Sequence, residues 1–216
     1  MPVLPPLYPI VDVGLCDASG RDPVAYARAL MDGGARLLQV RAKALGGRAF
    51  LDLLQEVGTL AEATGARIVV NDRADLAALV SAAGVHVGQD DLAPAAVRRV
   101  AGEGVVVGLS THTEAQAAAA LAAPIDYLAI GPVYGTRTKD TGYDAVGLDM
   151  VARVSALAGP RGLPVVAIGG ITLDRAAAVW AAGADSVAVI GDLMTADPAA
   201  RVAEWLAAAA RRPSRA

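Results

Sequence analysis

Eight times along this chain a short run of mainly apolar, often β-branched residues leads through a polar or glycine-rich turn into an Ala/Leu-rich segment of helical period. The runs are LYPIVDV from Leu7, RLLQVRA from Arg36, RIVVND from Arg67, GVHVG from Gly84, GVVVGLS from Gly104, DYLAIGP from Asp126, PVVAIGG from Pro164 and DSVAVIG from Asp185. Most are nearly continuous in apolar residues instead of alternating. Strands of that kind are buried on both faces, as in a parallel sheet covered by helices. The intervening helices are expected over 23–30, 48–63, 74–82, 93–101, 113–122, 148–157, 172–182 and 198–210. Asp22 before Pro23 is a natural N-cap. Ala-Gly closes several of the others, at Ala83-Gly84, Ala101-Gly102 and Ala182-Gly183, where glycine takes a left-handed cap cheaply.

Eight such units predict an α/β fold, a (β/α)8 TIM barrel forming a single domain over 1–216, with residues 211–216 as a frayed tail. A doubly wound open sheet is the competitor. A dinucleotide-binding version would carry a glycine fingerprint after its first strand, and here that strand runs into Val11-Asp12-Val13-Gly14 with no GxGxxG. The chain is 55% hydrophobic, enough for a large core, and its net charge of -3 advertises no nucleic-acid surface. No apolar run reaches the length of a membrane span, and the opening MPVLPPLYPIVDV lacks the charged start of a secretory signal. Cys16 stands alone, which excludes a disulfide scaffold and a cysteine-based zinc site. A cytoplasmic protein acting on small molecules, with neither nucleic acid nor membrane as partner, is the expectation. The sequence is silent on oligomeric state and compatible with a homo-oligomer.

A barrel of this kind works at the carboxyl ends of its strands. Strand two ends Gln39-Val40-Arg41-Ala42-Lys43, strand three Asn71-Asp72 and strand four runs on to Gln89-Asp90-Asp91. Strand five ends Ser110-Thr111-His112, strand six leads to Thr136-Arg137-Thr138-Lys139, strand seven ends Gly169-Gly170-Ile171-Thr172 and strand eight Ile190-Gly191-Asp192. Of the 19 basic residues only Lys43 and Lys139 are lysine, and Asn71 is the one asparagine. All three fall at these ends, and a lysine offers a mobile point charge that the planar arginine fork does not reproduce. The glycines of strands seven and eight, ahead of a helix start at Thr172, suit a phosphate held by backbone N–H groups, or else simply turn the chain. Arg41, Lys43 and Lys139 suggest a second anionic group. Asp72 and Asp91 end neighbouring strands. They read as joint Mg²⁺ ligands completed by substrate phosphates, or, for Asp72, as a salt bridge to Arg73 or Arg41. Ser110 lacks a nucleophile elbow and reads as a hydroxyl donor to substrate. His112 is an acid–base group or a helix-start residue, His86 is expected to be structural, and Trp180 and Trp205 to pack helices. The segment from Gly135 to Gly147 suits a closing lid.

The motifs LYPIVD, QVRAK, NDRADLA, GVHVGQDDL, GLSTHT, DYLAIGPVYGTRTK, VAIGGIT and AGADSVAVI, in this order from Leu7 to about Leu193, resemble those of the thiamine-phosphate synthase family. The resemblance implies a (β/α)8 transferase. It would join hydroxymethylpyrimidine diphosphate to hydroxyethylthiazole phosphate, in plain or carboxylated form, giving thiamine phosphate and diphosphate with Mg²⁺. Carried over, it puts Gln39, Val40, Arg41, Ala42, Lys43, Asn71, Ser110 and Lys139 on the pyrimidine diphosphate. Arg41, Lys43, Ser110 and Lys139 would be the catalytic residues among these. Thr136, Arg137, Thr138, Gly170, Ile190 and Gly191 fall on the thiazole phosphate, and Asp72 and Asp91 on the metal. Some members have serine where Gly191 stands, so here backbone alone would make that contact. Two rival readings share the barrel: a thiazole tautomerase-like isomerase using His112, and a non-catalytic barrel binding a phosphorylated metabolite. Neither needs Arg41, Lys43, Asp72, Asp91 and Lys139 together.

Overall fold

The computed structural model describes residues 4–135 and 144–212. Its strands are β1 (Leu7–Asp12), β2 (Leu37–Arg41), β3 (Arg67–Asn71), β4 (Gly84–Val87), β5 (Val106–Thr111), β6 (Tyr127–Ile130), β7 (Val165–Ile168) and β8 (Ser186–Val189). They run parallel in sequence order and close into a barrel. Closure is made by β1 on β8, with Leu7, Tyr8 and Pro9 in register with Val187, Ala188 and Val189. That pairing excludes the open sheet. The helices are α1 (Val13–Ala18), α2 (Pro23–Asp32), α3 (Gly47–Thr64), α4 (Ala74–Leu79), α5 (Pro94–Ala101), α6 (Glu114–Ala120), α7 (Gly147–Ala158), α8 (Leu173–Ala181) and α9 (Pro198–Ala209).

One helix departs from the expectation. Val13 and Gly14, read as the end of the first strand, instead open α1. The reason is local: the Asp12 carboxylate accepts from the Leu15 N–H at 3.0 Å, capping a helix immediately after the strand. Val13 and Cys16 are the buried face of that helix. Elsewhere the expected segments hold to within a few residues. Of the tail expected to fray, Arg211 and Arg212 donate backbone N–H groups to Ala208 and Ala209, and Arg212 Nη1 reaches the Asp185 carbonyl at 2.8 Å. The other residues of that tail, and most of the segment expected to act as a lid, lie outside the described residues.

The continuous apolar character of the strands is explained by two cores. Inside the barrel pack Tyr8, Ile10, Leu37, Val69, Tyr127, Ala129, Val166 and Ala188. Between barrel and helices lies the larger layer, which takes Val11, Leu38, Val40, Val70, Val85, Val107, Leu128, Ile130, Val165 and Val187 from the outward faces. A glycine sets the inner packing. A Cβ on Gly108 would lie 2.0 Å from Tyr127 Cζ, so β5 must be bare where that ring crosses it.

Burial pushes the Tyr8 hydroxyl up to about 12. Tyr127 is raised well above the ordinary tyrosine value, again chiefly by burial. The Cys16 thiol is pushed up to about 11 by burial and by the nearby Asp12. All three are held in their neutral forms by folding. The stabilisation is therefore complete below the pKa values of the unfolded chain and is lost as pH rises through those of the folded one. For Tyr8 alone it is on the order of 3 kcal/mol. We predict a flat urea midpoint from pH 7 to 9 and a steep fall between 10 and 12. Tyrosinate absorbance at 295 nm from the buried rings should appear with unfolding; full ionisation in the folded protein near pH 10 would contradict it.

Candidate active site

Because the strands are parallel and the barrel is closed, all eight carboxyl ends share one mouth. On β2, Gln39 is buried and points inward, and Arg41 follows on the same face. Val40 and Ala42 point the other way, into the barrel–helix layer, so these two can offer substrate only backbone. Arg41 Nη1 pairs with Asp12 Oδ2, the second oxygen of the carboxylate that caps α1. Sequence reading passed over Asp12. Its position at the end of β1, facing the same mouth, was the signal.

Lys43 Nζ pairs with Asp72 Oδ2. The partners considered for Asp72 from sequence, Arg73 and Arg41, are engaged elsewhere: Arg73 with Asp75, and Arg41 with Asp12. Asp72 has φ of 63°, a left-handed conformation that a residue other than glycine seldom takes. The bend turns its side chain off the strand direction. Asp91, after β4, accepts the Gly88 N–H at 2.8 Å through Oδ2 and lies within hydrogen-bonding reach of the Asp72 carboxyl. Burial raises the Asp72 pKa most. Lys43 opposes that shift, and Asp91 adds to it by hydrogen bonding and by charge. Two carboxylates this close repel one another, and a hard divalent cation is a counter-charge that would suit them. Among the described residues no group of three or more His, Cys, Asp or Glu side chains could hold a metal. Asp72 and Asp91 are hard oxygen donors of the type that Mg²⁺ would take, with its remaining positions filled by water and phosphate oxygens.

Asn71 ends β3 on the inward face, buried and in register with His86 of β4. His86 is more than a packing residue. Its Nε2 meets Ser110 Oγ at 2.8 Å and its Nδ1 meets the Tyr127 hydroxyl at 2.8 Å. Ser110 is also framed by Gln89, whose amide donates to the Ser110 carbonyl at 2.6 Å. The His112 ring meets the Gly131 carbonyl at 2.6 Å through Nδ1, and its backbone N–H donates to Gln116 Oε1 at 2.7 Å. It sits just before Thr113, which caps α6.

Across the mouth, β7 and β8 enclose a cavity of about 310 Å³ lined by Gly135, Gly169, Gly170, Thr172, Arg175, Ile190 and Gly191 among others. Gly169 and Gly170 have φ of 102° and 61°. A Cβ on Gly169 would lie 2.5 Å from Pro132, and one on Gly170 2.5 Å from the Gly135 carbonyl, so this wall is bare by necessity. Asp192, beside Gly191, is held by Arg201 at 2.9 Å and by Trp205 Nε1 at 2.8 Å, both from α9. Among the described residues that line the cavity the cation is Arg175 on α8, which the sequence alone does not single out. Its Nη1 donates to the Gly170 carbonyl at 2.8 Å and its guanidinium lies 4.6 Å from the centre of the Tyr134 ring. Thr136, Arg137, Thr138 and Lys139 lie outside the described residues. A larger groove of about 690 Å³ runs outside the barrel between α8 and α9, away from the strand ends.

Comparison with known proteins agrees with this architecture. A family model described as thiamine monophosphate synthase matches residues 7–193. The thiamine-phosphate synthase of Koribacter versatilis (strain Ellin345) is 44% identical, over 94% of this chain and 95% of its own. That of Anaeromyxobacter dehalogenans (strain 2CP-C) is 48% identical, over 88% and 84%. Among solved structures, thiamine phosphate pyrophosphorylase from Pyrococcus furiosus superposes with a TM-score of 0.82 at 29% identity, covering 94% of each chain. Matched over most of its length in sequence and in fold, the chain belongs to the thiamine monophosphate synthase family.

Proposed function

We infer that the chain is a transferase that makes thiamine phosphate, joining 4-amino-2-methyl-5-hydroxymethylpyrimidine diphosphate to hydroxyethylthiazole phosphate with release of diphosphate. One observation carries the site assignment. A charged cluster (Lys43, Asp72, Asp91) and a glycine-walled cavity with Arg175 face each other across a single barrel mouth. Two substrates with separate anionic groups need that division.

The electron flow requires little from the protein in acid or base. The 4-amino group pushes density into the pyrimidine, the exocyclic C–O bond breaks, and its electron pair leaves with the diphosphate. The thiazole nitrogen lone pair then forms the new C–N bond to that methylene. Arg41, Lys43, Asn71 and Lys139 are assigned to the leaving group, Ser110 and Gln39 to the pyrimidine diphosphate, and the glycine cavity to the thiazole phosphate. The thiazole phosphate subsite also includes Thr136, Arg137, Thr138 and Ile190. Asp72 and Asp91 would hold Mg²⁺, which when bound offsets the charge of the diphosphate. The barrel mouth orients the two rings for capture and limits the access of water, which would otherwise intercept the electron-poor methylene.

The deciding assay mixes both substrates with and without Mg²⁺ and follows diphosphate; we expect release only with the metal, and no metal-dependent release would end this reading. Lys43→Arg should fold normally yet lose turnover by about a hundredfold, because a guanidinium fork can cover both Asp72 oxygens where the lysine holds one. Near-normal turnover would make the lysine incidental. Arg175→Ala should raise KM for the thiazole phosphate roughly tenfold while leaving KM for the pyrimidine diphosphate within about twofold. An equal rise in both would place Arg175 outside the thiazole subsite.

A further inference from the structure

A line of hydrogen bonds crosses the barrel interior beneath the mouth. Gln39 Nε2 lies 3.3 Å from the Tyr8 hydroxyl, Tyr8 is 3.1 Å from the Tyr127 hydroxyl, Tyr127 is 2.8 Å from His86 Nδ1, and His86 Nε2 is 2.8 Å from Ser110 Oγ. The rings are fixed as well as bonded. Tyr8 meets Tyr127 edge to face at 6.0 Å, and Tyr127 stacks on His86 at 5.5 Å with 21° between planes. Tyr8 and Tyr127 are buried almost completely, in a setting where a misdirected hydrogen leaves an unsatisfied polar atom.

The direction of the line follows from its first member. An amide nitrogen only donates, so the Tyr8 oxygen accepts from Gln39. Among the described contacts the Tyr127 oxygen is the acceptor within reach of the buried Tyr8 hydrogen, and with Tyr8 donating there, Tyr127 sends its own hydrogen to His86 Nδ1. A neutral imidazole that accepts at Nδ1 carries its proton on Nε2 and donates to Ser110 Oγ. Ser110 is thereby supplied with a donor from below, and its own hydrogen is left to point into the mouth.

We propose that Tyr8, Tyr127 and His86 are positioning residues that hold Ser110 as a hydrogen-bond donor toward the pyrimidine diphosphate. The consequence for catalysis rests on the synthase reading; the direction of the line does not. Tyr8 and Tyr127 keep their hydrogens at working pH, since burial raises both hydroxyls. Gln39 thus acts twice, at the mouth as a substrate residue and in the interior as the group that orients the line.

The test begins with ¹⁵N-histidine labelling of the full chain, whose two histidines keep the spectrum simple. At a pH where His86 is neutral, its Nε2 should be pyrrole-like and its Nδ1 pyridine-like; the opposite tautomer would overturn the proposal without any variant. Tyr127→Phe, with folding checked by circular dichroism, should lose the single tautomer. Its kcat should fall about tenfold with KM for thiazole phosphate unchanged. In that background Ser110→Ala should cost several-fold less than it does in the unaltered protein, because both changes remove the same donor. Unchanged kcat in a folded Tyr127→Phe protein, or strictly additive losses, would reject the positioning role. Absence of all synthase activity in the unaltered protein would count against the functional reading, while the tautomer would still decide the direction of the line.

Discussion

The pairing of β1 with β8 is the constraint on which the rest depends. Without it, Asp12 and Gly191 would stand at opposite edges of a sheet, and the charges of β2 to β4 would not face the glycines of β7 and β8. With it, eight strand ends become one rim, and residues far apart in sequence converge there. Closure has its own requirement, an interior filled to the spacing of a small barrel. Tyr8 and Tyr127 supply much of that volume, and Gly108 makes it fit by removing a side chain where the Tyr127 ring crosses β5.

The rim is electrostatically uneven. On one side Arg41 is already paired with Asp12 and Lys43 with Asp72. These pairs keep both cations oriented at the mouth, where an anionic ligand would exchange partners with them. On the other side, among the described residues, the charge is carried by backbone and by Arg175, whose contacts with Gly170 and Tyr134 tie α8 to the β6 and β7 ends. A chelated, multiply charged leaving group suits the first arrangement. A phosphate that is only held, never cleaved, suits the second.

Much of this was legible in the sequence, for identifiable reasons. The strands showed because both of their faces are covered, which suppresses alternation and leaves runs such as Arg67–Asn71 conspicuous. The charged residues at the ends of β2 and β3, such as Arg41 and Asp72, showed because the fold class directs attention to strand ends. What escaped depended on side-chain geometry. The helix α1 looked like a strand leaving for a turn, since a single capping oxygen on Asp12 decides it. Arg175 looked like any exposed helical arginine, because its bond to Gly170 exists only once the β7 turn has formed. His86 was read as structural because it sits in an apolar strand; its partners Tyr127 and Ser110 are 41 and 24 residues away in sequence and meet it only in the closed barrel. In a chain with 17 arginines the two lysines stand out; Lys43 lies against Asp72, and Lys139 falls outside the described residues.

The bond from Asp192 to Arg201 and Trp205 has a consequence for the order in which the protein is built. The turn that follows β8 takes its final shape only when α9 has docked beneath it. On the ribosome, the strands can emerge and pair while that half of the rim is still unformed. The cavity beside that turn would therefore be completed late, after the barrel that carries it.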